Sequence, residues 1–317
     1  MMIELAIGLV DASHFKGRDI ISMRDFDREE IDFILDRATD MMPLAEEGTD
    51  LLRGKILATL FFEPSTRTRL SFEASMCRLG GGVIGFAEPG VSSVAKGETL
   101  SDTIKTVENY SDVIAMRHSS EDAAIIAAEA ASIPVINGGS GPWEHPTQAL
   151  LDLHTILTAK GRIDGLKIAL VGDLLYGRTV HSLAVALRNY DVKCYFVSPE
   201  QLRMREDVIK DVEGRLNYEE TGDLKAVLPE LDVLYATRIQ KERFPDVADY
   251  ERVKDAYLIN RAFLGGAKPD LSVMHPLPRV TEIATDVDGT PHALYFRQMK
   301  HGIYVRMALI ALVLGAL

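Results

Sequence analysis

Residues 65–69 set three hydroxyls and two arginines side by side, as Ser65-Thr66-Arg67-Thr68-Arg69. Donors this dense suit an oxyanion, above all a phosphate, because a guanidinium offers a planar fork that matches two phosphate oxygens. The segment follows an apolar run, residues 55–62, and then Pro64. A strand that stops at a proline and turns into a helix leaves backbone N–H groups unpaired, with the positive end of the helix dipole facing outward. A plainly capped helix, with Ser65 as cap and Arg69 paired to Glu73, accounts for one serine and one arginine. It leaves the other donors unexplained. Arg69 itself reads equally well as a structural ion-pair partner.

Similar groups follow the other apolar runs. Residues 113–116 lead to Arg117-His118, and 133–136 lead to a Gly/Pro-rich stretch carrying His145, with Gln148 on the next helix. Further on, 167–171 leads to Arg178, 233–236 to Arg238 and Gln240, and 272–274 to His275-Pro276-Leu277-Pro278-Arg279. Ligands of open parallel sheets lie beyond the carboxyl ends of the strands, so these groups should gather at one edge, in a site for anions. Weaker signals are Ser92 and Lys96, in a Gly- and Ser-bearing loop that alone reads as solvated surface. His118 and His181 read as structural. Gly172-Asp173 lacks the G-x-G-x-x-G spacing of a dinucleotide turn.

The elements that must position these residues are legible as alternating runs. An amphipathic helix follows Asp25-Phe26-Asp27, with Ile31, Ile34, Leu35 and Ala38 at helical spacing. Strands are predicted at 55–62, 83–86, 113–116 and 133–136, with helices at 65–79, 102–110 and 121–131. A long helix over 147–160 carries the domain boundary, and strands return at 167–171, 193–197, 233–236, 256–259 and 272–274. Strands alternating with helices mean parallel sheets. The fold expected is α/β, two doubly wound parallel-sheet domains, with the last helix returning to the first domain. The domains would comprise 1–148 plus 296–317, and 149–295.

Bulk properties agree. The 317 residues suffice for two cores, and a net charge of -12 opposes nucleic acid and anionic membranes. Basic groups must then be concentrated in a cleft. Cys77 and Cys194 have no close Cys or His partner and read as buried thiols in a reducing compartment. No metal-ligand spacing appears, and no metal or organic cofactor is expected. The first ten residues include Glu4 and lack the basic flank of a signal peptide. Residues 307–317 are apolar over only about half a membrane span and read as a helix packed into a core. A soluble, cytoplasmic protein is expected.

Four motifs in this order and spacing resemble the transcarbamoylases over essentially the whole chain: Phe62-Glu63-Pro64-Ser65-Thr66-Arg67-Thr68-Arg69, Lys96-Gly97-Glu98-Thr99, His145-Pro146-Thr147-Gln148 and His275-Pro276-Leu277-Pro278-Arg279. Residues 176–182 and 237–243 are similar to those members of the family that take aspartate. Members that use ornithine carry His-Cys-Leu-Pro and a Ser-Met-Gly loop; here the first is His275-Pro276-Leu277-Pro278 and the second is missing. Two arginines, Arg178 and Arg238, also suit the two carboxylates of aspartate better than the second amine of ornithine.

The resemblance implies carbamoyl transfer from carbamoyl phosphate to L-aspartate, a step of pyrimidine biosynthesis. It implies phosphate contacts from Ser65, Thr66, Arg67 and Thr68, and carbonyl-oxygen contacts from Thr68, Arg117 and His145. Gln148 and the backbone carbonyls of Pro276 and Leu277 would hold the carbamoyl NH2, and Arg178, Arg238 and Gln240 the aspartate. Ser92 and Lys96 would enter the site of an adjacent subunit, with Lys96 also reaching aspartate, so that a homotrimer shares its active sites. Separate zinc-containing regulatory chains in a dodecamer are compatible with it. The amino terminus extends roughly a dozen residues beyond the usual start of resemblance and has no assigned role. Three alternatives stand beside this reading: another amino acceptor, a nucleotide-dependent oxidoreductase, and a catalytically dead homologue. The missing glycine fingerprint opposes the second, and the presence of Arg67, Lys96 and His145 opposes the third.

Overall fold

The computed structural model describes residues 10–87, 97–239, 253 and 256–317, so Ser92, Lys96 and Gln240 lie outside the described residues. The apolar run before the hydroxyl–arginine segment forms β1 (Ile56–Phe61), buried from Leu57 onward. A strand buried on both faces belongs inside a parallel sheet covered by helices. β1 lies between β2 (Gly82–Phe86) and β3 (Val113–His118), and β4 (Val135–Ser140) completes a four-stranded parallel sheet of order β2-β1-β3-β4. Its helices are α1 (Arg28–Glu47), α2 (Thr66–Arg78), α3 (Leu100–Val107), α4 (Ala123–Ala130) and α5 (Pro146–Lys160). A capping box between Asp27 and Glu30 starts α1.

The second sheet has five parallel strands: β5 (Lys167–Val171), β6 (Lys193–Val197), β7 (Asn217–Thr221), β8 (Val233–Ala236) and β9 (Ser272–Met274), in the order β7-β6-β5-β8-β9. With it run α6 (Arg178–Leu187), α7 (Glu206–Val212), α8 (Leu224–Val227) and α9 (Arg261–Leu264). The last helix, α10 (Tyr295–Val313), returns to the first domain and packs on α1, α2 and α5. Its Val305, Met307, Leu309 and Leu312 share one core with Ile31, Leu35 and Leu153. Among the described residues no helix is long and apolar enough to cross a membrane.

Strand order reverses between β1 and β3 in the first sheet and between β5 and β8 in the second. A reversal opens a crevice at the carboxyl ends of the two strands. The first crevice receives residues 65–68 and Arg117; the second receives Arg178 and Arg238.

Three details differ from the sequence expectations. Residues 256–259 make no strand. They contribute a single bridge, Ile259 to Ile283, because Asn260 at once caps α9 through the Phe263 N–H. β7 was not anticipated: it is a mostly polar edge strand, Asn-Tyr-Glu-Glu-Thr, with no apolar run to announce it. Cys194 is buried on β6, but Cys77 is exposed, since α2 buries the stripe of Phe72, Ser75 and Met76 and turns Cys77 outward.

Candidate active site

The two crevices face each other across one cleft of about 830 Å³. Residues 65–68, Arg67 among them, line it from the start of α2. Ser65 occupies the cap position without a side-chain capping bond, so its hydroxyl is not spent on the helix. Arg69 is bound elsewhere, donating to Glu73 at 2.8 Å, and that carboxylate also accepts from Thr59 at 3.2 Å. The helix start thus divides into cleft-lining donors and one arginine paired within the helix.

His145 caps the start of α5, ahead of Pro146 at the first turn, where proline fits. Its backbone N–H donates to Ser182 at 2.9 Å, and its Nε2 lies 3.5 Å from the Thr68 hydroxyl. Burial first, then the Arg117 and Arg306 charges, holds its pKa well below the usual histidine value. The ring is therefore neutral and has a single N–H to offer. Its Nδ1 is buried and has no hydrogen-bond partner among the described residues.

Four arginines expected from the sequence line the same cleft: Arg67 and Arg117 from the first domain, Arg178 and Arg238 from the second. Burial, and then the facing Arg238 charge, lowers the pKa of Arg67. Glu63 ties two of the others together, accepting from Arg117 at 2.6 Å and from Arg178 at 2.7 Å. Arg178 also donates to the Gly141 carbonyl at 2.7 Å. It lies so close to Gly139, at φ +125°, that a Cβ there would meet its Cζ at 3.2 Å. Gly177 serves similarly at the start of α6, where an added Cβ would come within 2.3 Å of the Asp173 carbonyl.

Gln148 and the 275–278 segment also line the cleft. Gln148 donates through Nε2 to Asp152 at 2.9 Å, which turns its amide oxygen away from that carboxylate. The His275 ring accepts from the Leu277 N–H at 2.8 Å and meets Glu282 at 2.7 Å. Leu277 has φ +56°, an uncommon conformation for a branched side chain, of the strained kind that clusters at ligand sites.

Sequence reasoning does not single out Glu63, Asp152, Gln298 or Arg306. Burial pushes the Asp152 pKa up to about 7, against bonds from Tyr235, Gln298 and Gln148 that lower it. Arg306 lines the cleft from α10, its pKa pushed down to about 10 by burial, and donates to Ser71 at 2.9 Å and Thr147 at 3.2 Å. Asp152, Glu63 and Arg306 each left a faint trace: a Gln-x-x-x-Asp spacing in an apolar helix, an acid inside a cationic motif, and a lone arginine between Val305 and Met307; Gln298 left none. Asp173 of the weak dinucleotide-like turn accepts from the Tyr176 N–H at 2.8 Å and so closes its own turn. His181, read as structural, is buried against the carbonyls of Pro142 and Leu174.

Phosphate-type donors from one sheet facing guanidiniums from another define a two-domain α/β protein built to bring two anions together. The chain belongs to the aspartate/ornithine carbamoyltransferase family: the family model for the carbamoyl-P binding domain matches residues 18–158, and that for the Asp/Orn binding domain matches 164–313. A curated relative from Thermococcus onnurineus, an aspartate carbamoyltransferase catalytic subunit, is 60% identical over 96% of this chain and 99% of its own. Its counterpart in Methanopyrus kandleri is 54% identical over the same shares. The fold matches aspartate transcarbamoylase from Trypanosoma cruzi in complex with carbamoyl phosphate and aspartate, with a TM-score of 0.92 at 42% identity, covering 96% of this chain and 99% of that one. The catalytic subunit of M. Jannaschii aspartate transcarbamoylase gives a TM-score of 0.86 at 53% identity, over 92% and 96% of the two chains.

Proposed function

We propose that this chain transfers the carbamoyl group of carbamoyl phosphate to the α-amino group of L-aspartate, releasing phosphate and N-carbamoyl-L-aspartate. The observation that carries the reading is the placement of Arg67 against Arg238: cations from the two domains meet over a cleft large enough for two small substrates. An anion lying between two guanidiniums is attracted by both.

In this reading Ser65, Thr66, Arg67 and Thr68 grip the phosphate at the start of α2. Thr68, Arg117 and neutral His145 donate to the carbamoyl oxygen, where charge develops. The Gln148 amide oxygen and the Pro276 and Leu277 carbonyls accept from the carbamoyl NH2. Arg178 and Arg238 hold the aspartate carboxylates, with Gln240 assigned beside them. The neutral amine attacks the carbamoyl carbon, forming the C–N bond. The tetrahedral intermediate then breaks its bond to the phosphate oxygen, and the departing phosphate takes the amine proton. Holding both reactants in register contributes several kcal/mol of the acceleration, on the order of that seen in oriented intramolecular reactions.

The same reading gives a carbamoyl phosphate-binding domain of 1–148 plus 296–317 and an aspartate-binding domain of 149–295. It makes the working unit a homotrimer, with Ser92 and Lys96 supplied by the adjacent subunit. Mixed Arg67→Ala and Lys96→Ala chains should then recover part of the activity that each lacks alone; no recovery after verified exchange would exclude shared sites. We place the protein in the cytoplasm and assign any nucleotide control to separate zinc-containing regulatory chains in a dodecamer, testable by co-purification. The reaction is tested with N-(phosphonacetyl)-L-aspartic acid, bound by the Trypanosoma cruzi relative. It should inhibit in competition with carbamoyl phosphate, and a compound without effect at saturating concentration would refute the reading.

A further inference from the structure

The acceptors assigned to the carbamoyl NH2 come from two places far apart in sequence, Gln148 on α5 and the 276–277 segment after β9. A side-chain amide can turn end for end, and a backbone carbonyl is aimed only as well as its loop. Both depend on one buried carboxylate. Asp152, fully buried one turn beyond Gln148, receives the Gln148 Nε2 at 2.9 Å and the Gln298 Nε2 at 2.6 Å on the same oxygen, Oδ1. Its other oxygen meets the Tyr235 hydroxyl of β8 at 2.8 Å. Gln298, itself fully buried, accepts the His275 N–H at 2.9 Å through its own amide oxygen, and the His275 ring accepts the Leu277 N–H at 2.8 Å.

We infer that Asp152 is the positioning residue for recognition of the carbamoyl amide, fixing at once the Gln148 amide and the segment bearing the Pro276 and Leu277 carbonyls. With both glutamine NH2 groups committed to Oδ1, a Gln148 flip would set its amide oxygen against the carboxylate and its NH2 toward the substrate NH2. Two mismatches would replace two bonds, and buried mismatches are costly. A proton on Oδ2 leaves both glutamine bonds in place, because Oδ1 accepts in either state, and reverses only the bond with Tyr235. Three acceptors aimed at one NH2 distinguish a carbamoyl group from a group of the same shape that carries methyl there. A site built to hydrogen-bond a polar group rejects the analogue lacking it, since its own polar atoms are left unpaired.

This inference rests on the assignment of Gln148, Pro276 and Leu277 to the carbamoyl NH2, and the experiment separates the two. Binding of carbamoyl phosphate and of acetyl phosphate, which has methyl for NH2, is measured by calorimetry on the intact protein. Wild type should prefer carbamoyl phosphate; equal affinities would overturn the assignment itself. Asp152→Ala should lower carbamoyl phosphate affinity about tenfold, the loss of roughly one well-made buried hydrogen bond, and leave acetyl phosphate within about twofold. Asp152→Asn should restore the preference, its oxygen taking both glutamine amides while its NH2 faces Tyr235. A parallel fall for both ligands, or none, in a protein whose wild type discriminates would overturn the role of Asp152. Should Asp152→Ala not fold, Gln298→Met decides. A reduced carbamoyl preference supports the linkage from α10 to His275, and an unchanged one removes it.

Discussion

The two walls of the cleft are built on opposite principles. One is a set of arginines, Arg67, Arg117, Arg178 and Arg238, with Glu63 as a carboxylate bridging two of them. The other is Gln148 and the 276–277 segment, backed by a buried hydrogen-bond network in which Gln148, Gln298 and Tyr235 surround Asp152. The first presents guanidinium groups, which suit anions. The second is satisfied within itself and presents only directed acceptors. Phosphate and carboxylates are recognised well by charge, but a neutral amide can be told from its isosteres only by fixed hydrogen-bond geometry.

Damage to the arginine wall should be the larger effect. Arg67→Ala should lower kcat/KM by about a thousandfold or more, since both phosphate binding and leaving-group stabilisation pass through that guanidinium. Steady-state kinetics across carbamoyl phosphate concentrations would show it, and a loss under tenfold would remove Arg67 from the phosphate grip. His145→Ala should cost about a hundredfold in kcat, the range of one oxyanion donor. Because the His145 pKa lies well below the ordinary value, His145→Asn should keep the shape of the pH–rate profile. Loss of the acidic limb together with a large fall in maximal rate would make His145 a general base instead.

Behind the amide wall, acid should loosen the scaffold. His154 and His301 meet through their Nδ1 atoms at 2.8 Å between α5 and α10, and burial pushes both pKa values down to about 4. Folded pKa values below the unfolded 6.5 mean stability that is present above pH 6.5 and lost as pH falls toward 4. Asp152 has the opposite sign: raised from 3.8 to about 7, its contribution is full below the lower value and lost as pH rises through the upper. Between pH 4 and 6.5 two groups therefore oppose one, and together they should raise stability by about 1.4 kcal/mol per pH unit. Denaturant titrations of His154→Gln should show the slope over that range smaller than in wild type by about 1.4 kcal/mol per pH unit; an unchanged slope would contradict the assignment. The smallest effect sharpens the contrast itself. Raising salt from about 0.05 to about 0.5 M should weaken phosphate binding a few-fold while leaving the carbamoyl-to-acetyl preference unchanged, since screening acts on charge and not on hydrogen-bond direction.

The arginine wall was legible in the sequence and the network was not. Residues 65–69 announce themselves by density, and Arg117, Arg178 and Arg238 by recurring after apolar runs that became β3, β5 and β8. Asp152 and Gln298 sit singly in helices 146 residues apart, and only the return of α10 onto α5 brings them into hydrogen-bond contact. Glu63 reads as a lone acid in a basic motif until Arg178 arrives from the other domain. The sheets were foreseeable where both faces are apolar, as in β1 and β5, and missed at β7, whose polar edge carries no such signal.

The central claim, two anions joined by carbamoyl transfer to aspartate, is tested most directly by product identity. The intact protein is incubated with carbon-labelled carbamoyl phosphate and equal aspartate and ornithine, and the labelled product is identified by mass. The account predicts label in N-carbamoyl-L-aspartate, with none in the ornithine adduct beyond the enzyme-free control. Label in the ornithine adduct, or no product from a protein that binds both substrates, would contradict it.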